Sequence, residues 1–358
     1  MNLDFSFLKK LCEANGASGA EEPVKKIFLE AARNLVDDIW EDELGNLILH
    51  RKGKGPRVLL DAHLDEVAFL VAGFEGPFLR ILPLGGVDSR MLYGQRLIIW
   101  GRRPLSAVVV TTPPHLGEKE KQIPPVEEML LDVGLSEERV RELVSIGDPV
   151  TFPPFFEENE EAIWGKALDD RVGLFLMVEA LKGARTELDL YLSATVQEEV
   201  GLRGAQALAQ KIKPEIVLVL EGTLAGDLPG TPAHLRLALC GKGPELRLAD
   251  ARFLADRNLT LGLASLARKR AIPHQVVVKN RGGTNAAAFQ VGVPVRAAAI
   301  SVPVRYLHSS VSLAFKGDIT AALNLLKAFL ENPEEALSYR WTYPGCEDLK
   351  LANQVEKS

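Results

Sequence analysis

The chain has 358 residues, 47% hydrophobic and 25% charged, with a formal net charge of −6. That is globular composition, long enough for one large domain or two unequal ones. No basic run would track phosphates and no segment approaches the roughly 20 apolar residues of a membrane span, so neither nucleic acid nor membrane is expected as a partner.

The start, "MNLDFSFLKKLCEANG", holds no apolar stretch of signal-peptide length. Cys12, Cys240 and Cys346 are scattered and odd in number. They read as incidental thiols of a reducing cytoplasm. Residues 3 to 14 predict a short helix ending at Gly16. Ser18 and Glu21 have capping-box spacing before a second helix. "GNLILHRKG" and "PRVLLDAHLDEVAFLV" predict strands. From about 71 to 162 short strand candidates alternate with Gly and Pro, with one helix near 136 to 144, which suggests a β-rich insert. A strand–helix rhythm follows: helix "ALDDRVGLFLMVEALKG", strand "LDLYLSATVQ", helix "GAQALAQKI", strand "EIVLVLEG", helix "LTLGLASLARKR", strand "PHQVVVKN", helix "TNAAAFQVG", strand "VRAAAISV" and helix "KGDITAALNLLKAFLENP". The expected fold is α/β, a central sheet flanked by helices. Its main domain comprises residues 1–70 and 163–358, and residues 71–162 form an inserted β-rich domain.

Ligands of open α/β sheets bind beyond the carboxyl ends of the strands. His63 and Asp65 follow one predicted strand, Glu198 and Glu199 a second, Glu221 a third and His308 a fourth. Asp169 and Asp170 stand at a helix start. Each also has a plain structural reading. An Asp pair there caps a helix, a lone His after a strand is a hydrogen-bonded loop residue, and Glu221 before a glycine is a solvated turn. His50, His115, His234 and His274 read as loop or contact residues. "RGGTNA" reads equally as an anion-binding nest or as a strand-to-helix turn.

The pair Glu198–Glu199 is harder to explain structurally. On a continuing strand the two would face opposite sides, and one would meet the apolar face of Leu188, Leu190, Leu192, Ala194 and Val196. Burying a carboxylate there without a cation costs several kcal/mol. If the strand ends at Gln197, both carboxylates reach the rim, where they require positive charge. Divalent metal supplies it, since zinc takes imidazole nitrogen and carboxylate oxygen. One glutamate then binds metal while its neighbour moves the proton.

"AHLDE" (62–66), "GKALDDRVG" (165–173), "QEEVGLRGA" (197–205), "EGTLAGDLPG" (221–230), "GKGP" (241–244), "RGGTNA" (281–286) and "PVRYLHS" (303–309) occur in order. Together with "ANGASGAEEPV", "LGGVDSRMLYGQR" and "VSIGDPVTF", they give a chain that resembles the dinuclear-metal aminopeptidases. This family includes glutamyl aminopeptidase, deblocking aminopeptidases and the tetrahedral (TET) peptidases. The resemblance implies a zinc-peptidase-type mixed sheet with an inserted small β-barrel used in oligomer contacts. It implies two divalent ions, zinc or cobalt, held by His63, Asp169 and Glu221 and by Asp169, Glu199 and His308. Asp169 rather than Asp170 is the bridge by analogy alone. It further implies Glu198 as general acid/base, Asp65 as the residue orienting His63, short peptides as substrates, and assemblies from dimers to tetrahedral dodecamers.

Three departures from that pattern stand out. Glu221 replaces the Asp usual in the family's aminopeptidases, Asn285 makes "GGTNA" of the family's "GGTDA", and Ser312 stands where an acid commonly follows the last histidine. Loss of acids near the pocket is expected to weaken capture of a free α-amino group. The alternative function is therefore a metal-dependent amidohydrolase acting on N-acylated peptides or amino acids. An endoglucanase or a non-catalytic assembly protein are further alternatives. Carboxylates of a glycosidase flank a bond at about 5 to 9 Å, a separation that adjacent residues seldom reach.

Overall fold

The computed structural model describes residues 3–110 and 123–342. His115 and Cys346 lie outside the described residues. Among the described residues the main sheet has eleven strands. Nine follow one another in space: Asp38–Glu41, Leu47–Arg51, Asp189–Thr195, Arg57–His63, Ile216–Leu224, Arg296–Arg305, Ser312–Phe315, Ala162–Gly165 and Phe156–Glu158. The other two, Glu245–Ala249 and Gln275–Val278, branch off beside Arg296–Arg305. The strands from Asp189–Thr195 to Arg296–Arg305 run parallel, and their neighbours on either side run antiparallel. Parallel strands covered on both faces require continuous apolar runs. Arg57–His63 is buried from Val58 onward, and Ile216–Leu224 is buried until its last residue.

One apolar core lies between the sheet and the helices Ser6–Glu13, Glu22–Ala32, Leu168–Leu181, Arg257–Lys269 and Lys316–Glu331. A second lies under Arg203–Ile212 and Asn285–Gly292 on the opposite face. The helix Leu168–Leu181 is apolar nearly all round and buried along almost its whole length, as a helix covered on every side must be. Among the described residues no helix is long and apolar enough to cross a membrane.

Six further strands close a small barrel, with its own core. They are Ala68–Glu75, Phe78–Leu84, Arg96–Trp100, Pro104–Val109, Leu130–Asp132 and Pro149–Thr151, joined by the helix Glu137–Leu143. The stretch "PRVLLDAHLDEVAFLV" is therefore two strands of two different sheets. The break comes where the backbone of Leu64 pairs with Thr195 and that of Glu66 with Gly16, which turns the chain out of the main sheet. Barrel strands thus begin at Ala68, ahead of residue 71. Phe156–Glu158, expected within the insert, extends the main sheet instead.

The capping box at Ser18 does not form. Ser18 donates to Asp65 (2.6 Å) and Glu21 accepts from the backbone of Gly19 and Gln197, so both side chains tie the N-terminal segment to the sheet rim.

Candidate metal centre

The parallel strands deliver the polar side chains to one rim. His63 is the last residue of its strand and is buried. Its Nδ1 lies 3.2 Å from the backbone oxygen of Asp65 and 3.3 Å from Oδ1 of that residue, and its Nε2 lies 3.3 Å from Oδ1 of Asp169. The strand Asp189–Thr195 ends before Glu198. Gln197 adopts a left-handed conformation (φ 56°), which turns the chain so that both following glutamates reach the cleft.

Asp65 fixes that turn. Its Oδ1 accepts from the backbone N–H of Glu198 (2.9 Å), and its Oδ2 accepts from the N–H of Glu199 (3.1 Å). One buried carboxylate therefore registers the histidine and the glutamate pair against each other.

Asp169 and Asp170 diverge sharply. Asp170 accepts from the backbone N–H of Gly173 (2.9 Å) and of His63 (3.0 Å), which spends its carboxylate on the helix start and on the neighbouring strand. Asp169 faces the rim between the two histidines, its Oδ2 3.8 Å from Nε2 of His308. The helix-cap reading thus applies to Asp170. Gly222 lies against Asp169, where a Cβ would come within 2.9 Å of the aspartate Cβ, so the strand must be bare there for Asp169 to sit so close.

His308 is placed from two sides. It lies just past the strand Arg296–Arg305, and its Nδ1 is 2.9 Å from the backbone oxygen of Gly86, beside the barrel. A proton on Nδ1 donates there and frees Nε2, which lies 3.3 Å from Oε1 of Glu199. That carboxylate oxygen is buried and has no hydrogen-bond partner. Donor atoms of His63, Asp169 and Glu199 all lie within 4.8 Å of one another.

Burial and crowding shift the titration of the rim's acids and histidines. Burial pushes Glu198 well above the usual carboxylate range, with Glu199, Asp65 and Asp169 adding to the effect and His63 opposing it. Burial also raises Glu199. For the histidines burial acts downward, but the surrounding carboxylates outweigh it, lifting His63 well above its ordinary value and His308 to about 11. The buried carboxylates crowded at the rim favour the charged form of both imidazoles. Divalent ions satisfy the same carboxylates while releasing those protons. An orphaned buried oxygen and a hard oxygen/nitrogen donor set both fit such ions.

Glu221 is also buried at this rim, but it already has a cation. Its Oε1 lies 2.5 Å from Nη2 of Arg247 and accepts from Ser301 (3.0 Å). Sequence reasoning did not single out Arg247. The available signal was Glu245 and Arg247 two apart in "ELRLA", charged residues on one face of an otherwise apolar strand. Ser18, Glu21 and Gly86 were likewise given no part in the site, and Asp170 was separated from Asp169 by analogy alone. Asn285 lies away from the cleft, its amide donating to Asp61 and Thr195 (2.9 Å each). Ser312 is buried and donates to Gly165 (2.8 Å). Asn285 serves the scaffold, whereas Ser312 also lines a small pocket with Asp169 and His308. His50, expected as a contact residue, stacks on Tyr191 and pairs with Asp189 far along the sheet.

The rim opens into a cleft of about 520 Å³. Leu224, Leu228, Leu235 and Leu237 line it beyond the donor set, with Lys279 and Arg281.

A hydrolase site of this kind, built at the carboxyl rim of a mixed sheet with a barrel inserted, defines a peptidase class that the comparisons make specific. The M42 glutamyl aminopeptidase profile matches residues 45–325. The chain is 33% identical to the lysyl aminopeptidase of Pyrococcus furiosus, covering 92% of this chain and 97% of that one. Among solved structures it is similar to an aminopeptidase of the archaeon Desulfurococcus kamchatkensis, with TM-score 0.88, 35% identity, and 94% and 98% of the two chains covered. It is also similar to the Pyrococcus horikoshii TET1 peptidase that assembles into a tetrahedron or a large octahedral shell, with TM-score 0.81, 33% identity, and 91% and 98% covered. The chain belongs to the M42 glutamyl aminopeptidase family and is a peptidase hydrolase.

Proposed function

We propose that the protein is a dinuclear metallo-aminopeptidase that hydrolyses the N-terminal peptide bond of short peptides. The observation that carries this reading is the orphaned, buried Oε1 of Glu199 facing His308, beside Asp169 and His63, with Glu198 adjacent and unbonded to any of them. In this reading His63, Asp169 and Glu221 hold one ion, and Asp169, Glu199 and His308 hold the other. Zinc and cobalt both suit these donors. When bound, the ions supply the positive charge that acidifies water and polarises the scissile carbonyl.

The chain's own residues do the rest. Glu198 takes the proton of the attacking water on its carboxylate and delivers it to the leaving nitrogen. Asp65 holds His63 through Nδ1 and holds the backbone of Glu198 and Glu199, so base and ligands keep one registration. Leucines of the cleft receive the apolar part of the substrate and exclude water. We further place the protein in the cytoplasm, on its scattered thiols. We assign the barrel, from Ala68 to Thr151, as an inserted domain used for homo-oligomer contacts, in keeping with the shells of the TET1 relative.

A second reading, cleavage of N-acylated peptides, is favoured by the cleft's charge. Its lining acids all belong to the proposed centre, whereas Lys279 and Arg281 stand beyond it and would not attract an ammonium group. One experiment separates the two. Protein stripped with chelator and reloaded with zinc or cobalt is given the same short peptide free and N-acetylated. Metal-dependent release of the first residue from the free form alone is the expected outcome. Cleavage of the acetylated form establishes the second reading, and no metal-dependent turnover of either overturns both.

A further inference from the structure

Glu221, Ser301 and Glu245 form one row across three adjacent strands, because Glu221 pairs with Ser301 in the parallel ladder and Ser301 with Glu245 in the antiparallel one. Arg247 stands two residues beyond Glu245 on the same strand and is itself buried, 2% exposed. Its guanidinium serves three carboxylates: Glu221 at 2.5 Å, Glu245 at 2.6 Å and Asp250 at 2.9 Å. Lys279 adds a second cation, 3.0 Å from Glu245. Nη2 of Arg247 also donates to Thr223 and Ser301.

Glu221 therefore differs from the other proposed ligands. Both histidines face the rim's carboxylates, and Glu199 faces only His308, whose proton can leave. Glu221 has one oxygen already filled, by Arg247 and by Ser301, and has a permanent buried positive charge against it. Arginine does not lose its proton in proteins, so this charge cannot be removed by an incoming ion as a histidine proton can. Two positive charges a few ångströms apart in a buried setting repel strongly.

We infer that Arg247 is a built-in cation of the centre: it occupies one oxygen of Glu221 and, as a permanent charge beside that carboxylate, makes the position beside Glu221 the weaker of the two divalent-ion positions. This rests on the metal-centre reading above. Arg247 is a positioning residue, acting on the ion through Glu221. The arrangement also keeps Glu221 aimed at the rim when no ion is beside it, so the weak position is pre-formed and fills or empties with ion supply while the other stays loaded.

Isothermal titration of chelator-stripped protein with zinc chloride, repeated with cobalt chloride, tests this. The expected result is two classes of one ion each, separated by at least tenfold. Arg247→Met should tighten the weaker class by tenfold or more and leave the tighter class in place. Arg247→Lys keeps the charge but loses the fork, and should tighten the weaker class by less. Circular dichroism and the unfolding midpoint report whether each variant folds. Glu245 retains Lys279, and Asp250 retains the backbone N–H groups of Arg252 and Phe253, so the cluster is not left bare. If Arg247→Met does not fold, the shift in Arg247→Lys decides the matter. Equal affinities in the natural protein, or a weaker class unmoved in every folded variant, overturn the inference while leaving the metallopeptidase reading standing. Absence of any ion binding overturns both.

Discussion

At the scale of single residues, Glu198 and Asp65 divide the labour of the rim. Glu198 is not a proposed ligand, so Glu198→Gln should retain full metal binding by titration while kcat falls by roughly 10²–10⁴, the usual contribution of a positioned acid/base. Loss of metal together with activity would show Glu198 to be a ligand instead. Glu21 makes a separate prediction. Burial raises its carboxyl from 4.5 to about 7, against the backbone N–H bonds it accepts. The folded state then holds this proton more tightly than the unfolded chain. Its contribution to stability is present in full below pH 4.5 and is lost as pH rises through about 7, a change on the order of 3 kcal/mol. Glu21→Gln should flatten that slope in denaturant midpoints taken at pH 5 and pH 8. A slope unchanged in the variant would assign the pH dependence elsewhere.

At the scale of elements, the N-terminal segment and the central helix matter for different reasons. Ser18 donates to the same Asp65 that holds both glutamate N–H groups. Ser18→Ala should cost about 1.5–3 kcal/mol, as loss of a hydrogen bond to a charged group does, and should lower metal affinity without touching any ligand. Full retention of both properties would make the serine incidental. Phe175 lies in the buried helix that carries Asp169 and stacks on Phe5, with ring centroids 5.5 Å apart. Phe175→Ala should cost about 3–5 kcal/mol in chemical denaturation, the range of aromatic truncations in a core. Gly85, where the barrel meets the rim, has φ +85° and would put a Cβ 3.2 Å from Glu199. No larger residue fits there without moving that side chain.

At the scale of the whole molecule, His308 couples the two sheets, since one ring nitrogen faces the barrel segment at Gly86 and the other faces Glu199. Ions bound between them stabilise the folded chain alone. Chelation should therefore lower the unfolding midpoint, and free ion at 100 times its dissociation constant should restore about 2.7 kcal/mol per site. His308→Ala should remove one site's share of that difference and leave the share of the ion beside Glu221. A midpoint indifferent to chelator in the natural protein would speak against ions at this rim.

Much of this architecture was readable in the residues. The strand–helix rhythm after residue 163 follows from apolar periodicity, which packing on a covered sheet enforces locally. The acids and histidines near the strand ends, His63, Glu198, Glu199, Glu221 and His308, were visible from their places beside apolar runs, and the pair Glu198–Glu199 most of all, because a carboxylate pair ending an apolar strand has no inexpensive structural explanation. Other features depend on contacts between segments far apart in the chain, which no local pattern records. Asp169 and Asp170 have the same chemistry and adjacent positions; only the packing of their helix against the strand Arg57–His63 sends one to the rim and the other to the backbone of His63 and Gly173. The spent hydroxyl of Ser18, the buried amide of Asn285 against Asp61, and the guanidinium beside Glu221 are likewise decided by which strands lie side by side. The sequence by itself determined the class of fold and the kinds of donor available, because burial and hydrogen-bonding demands act on each segment alone. The tertiary structure decided which donors face one another and which already have a partner, because charge balance is settled only where separate strands meet.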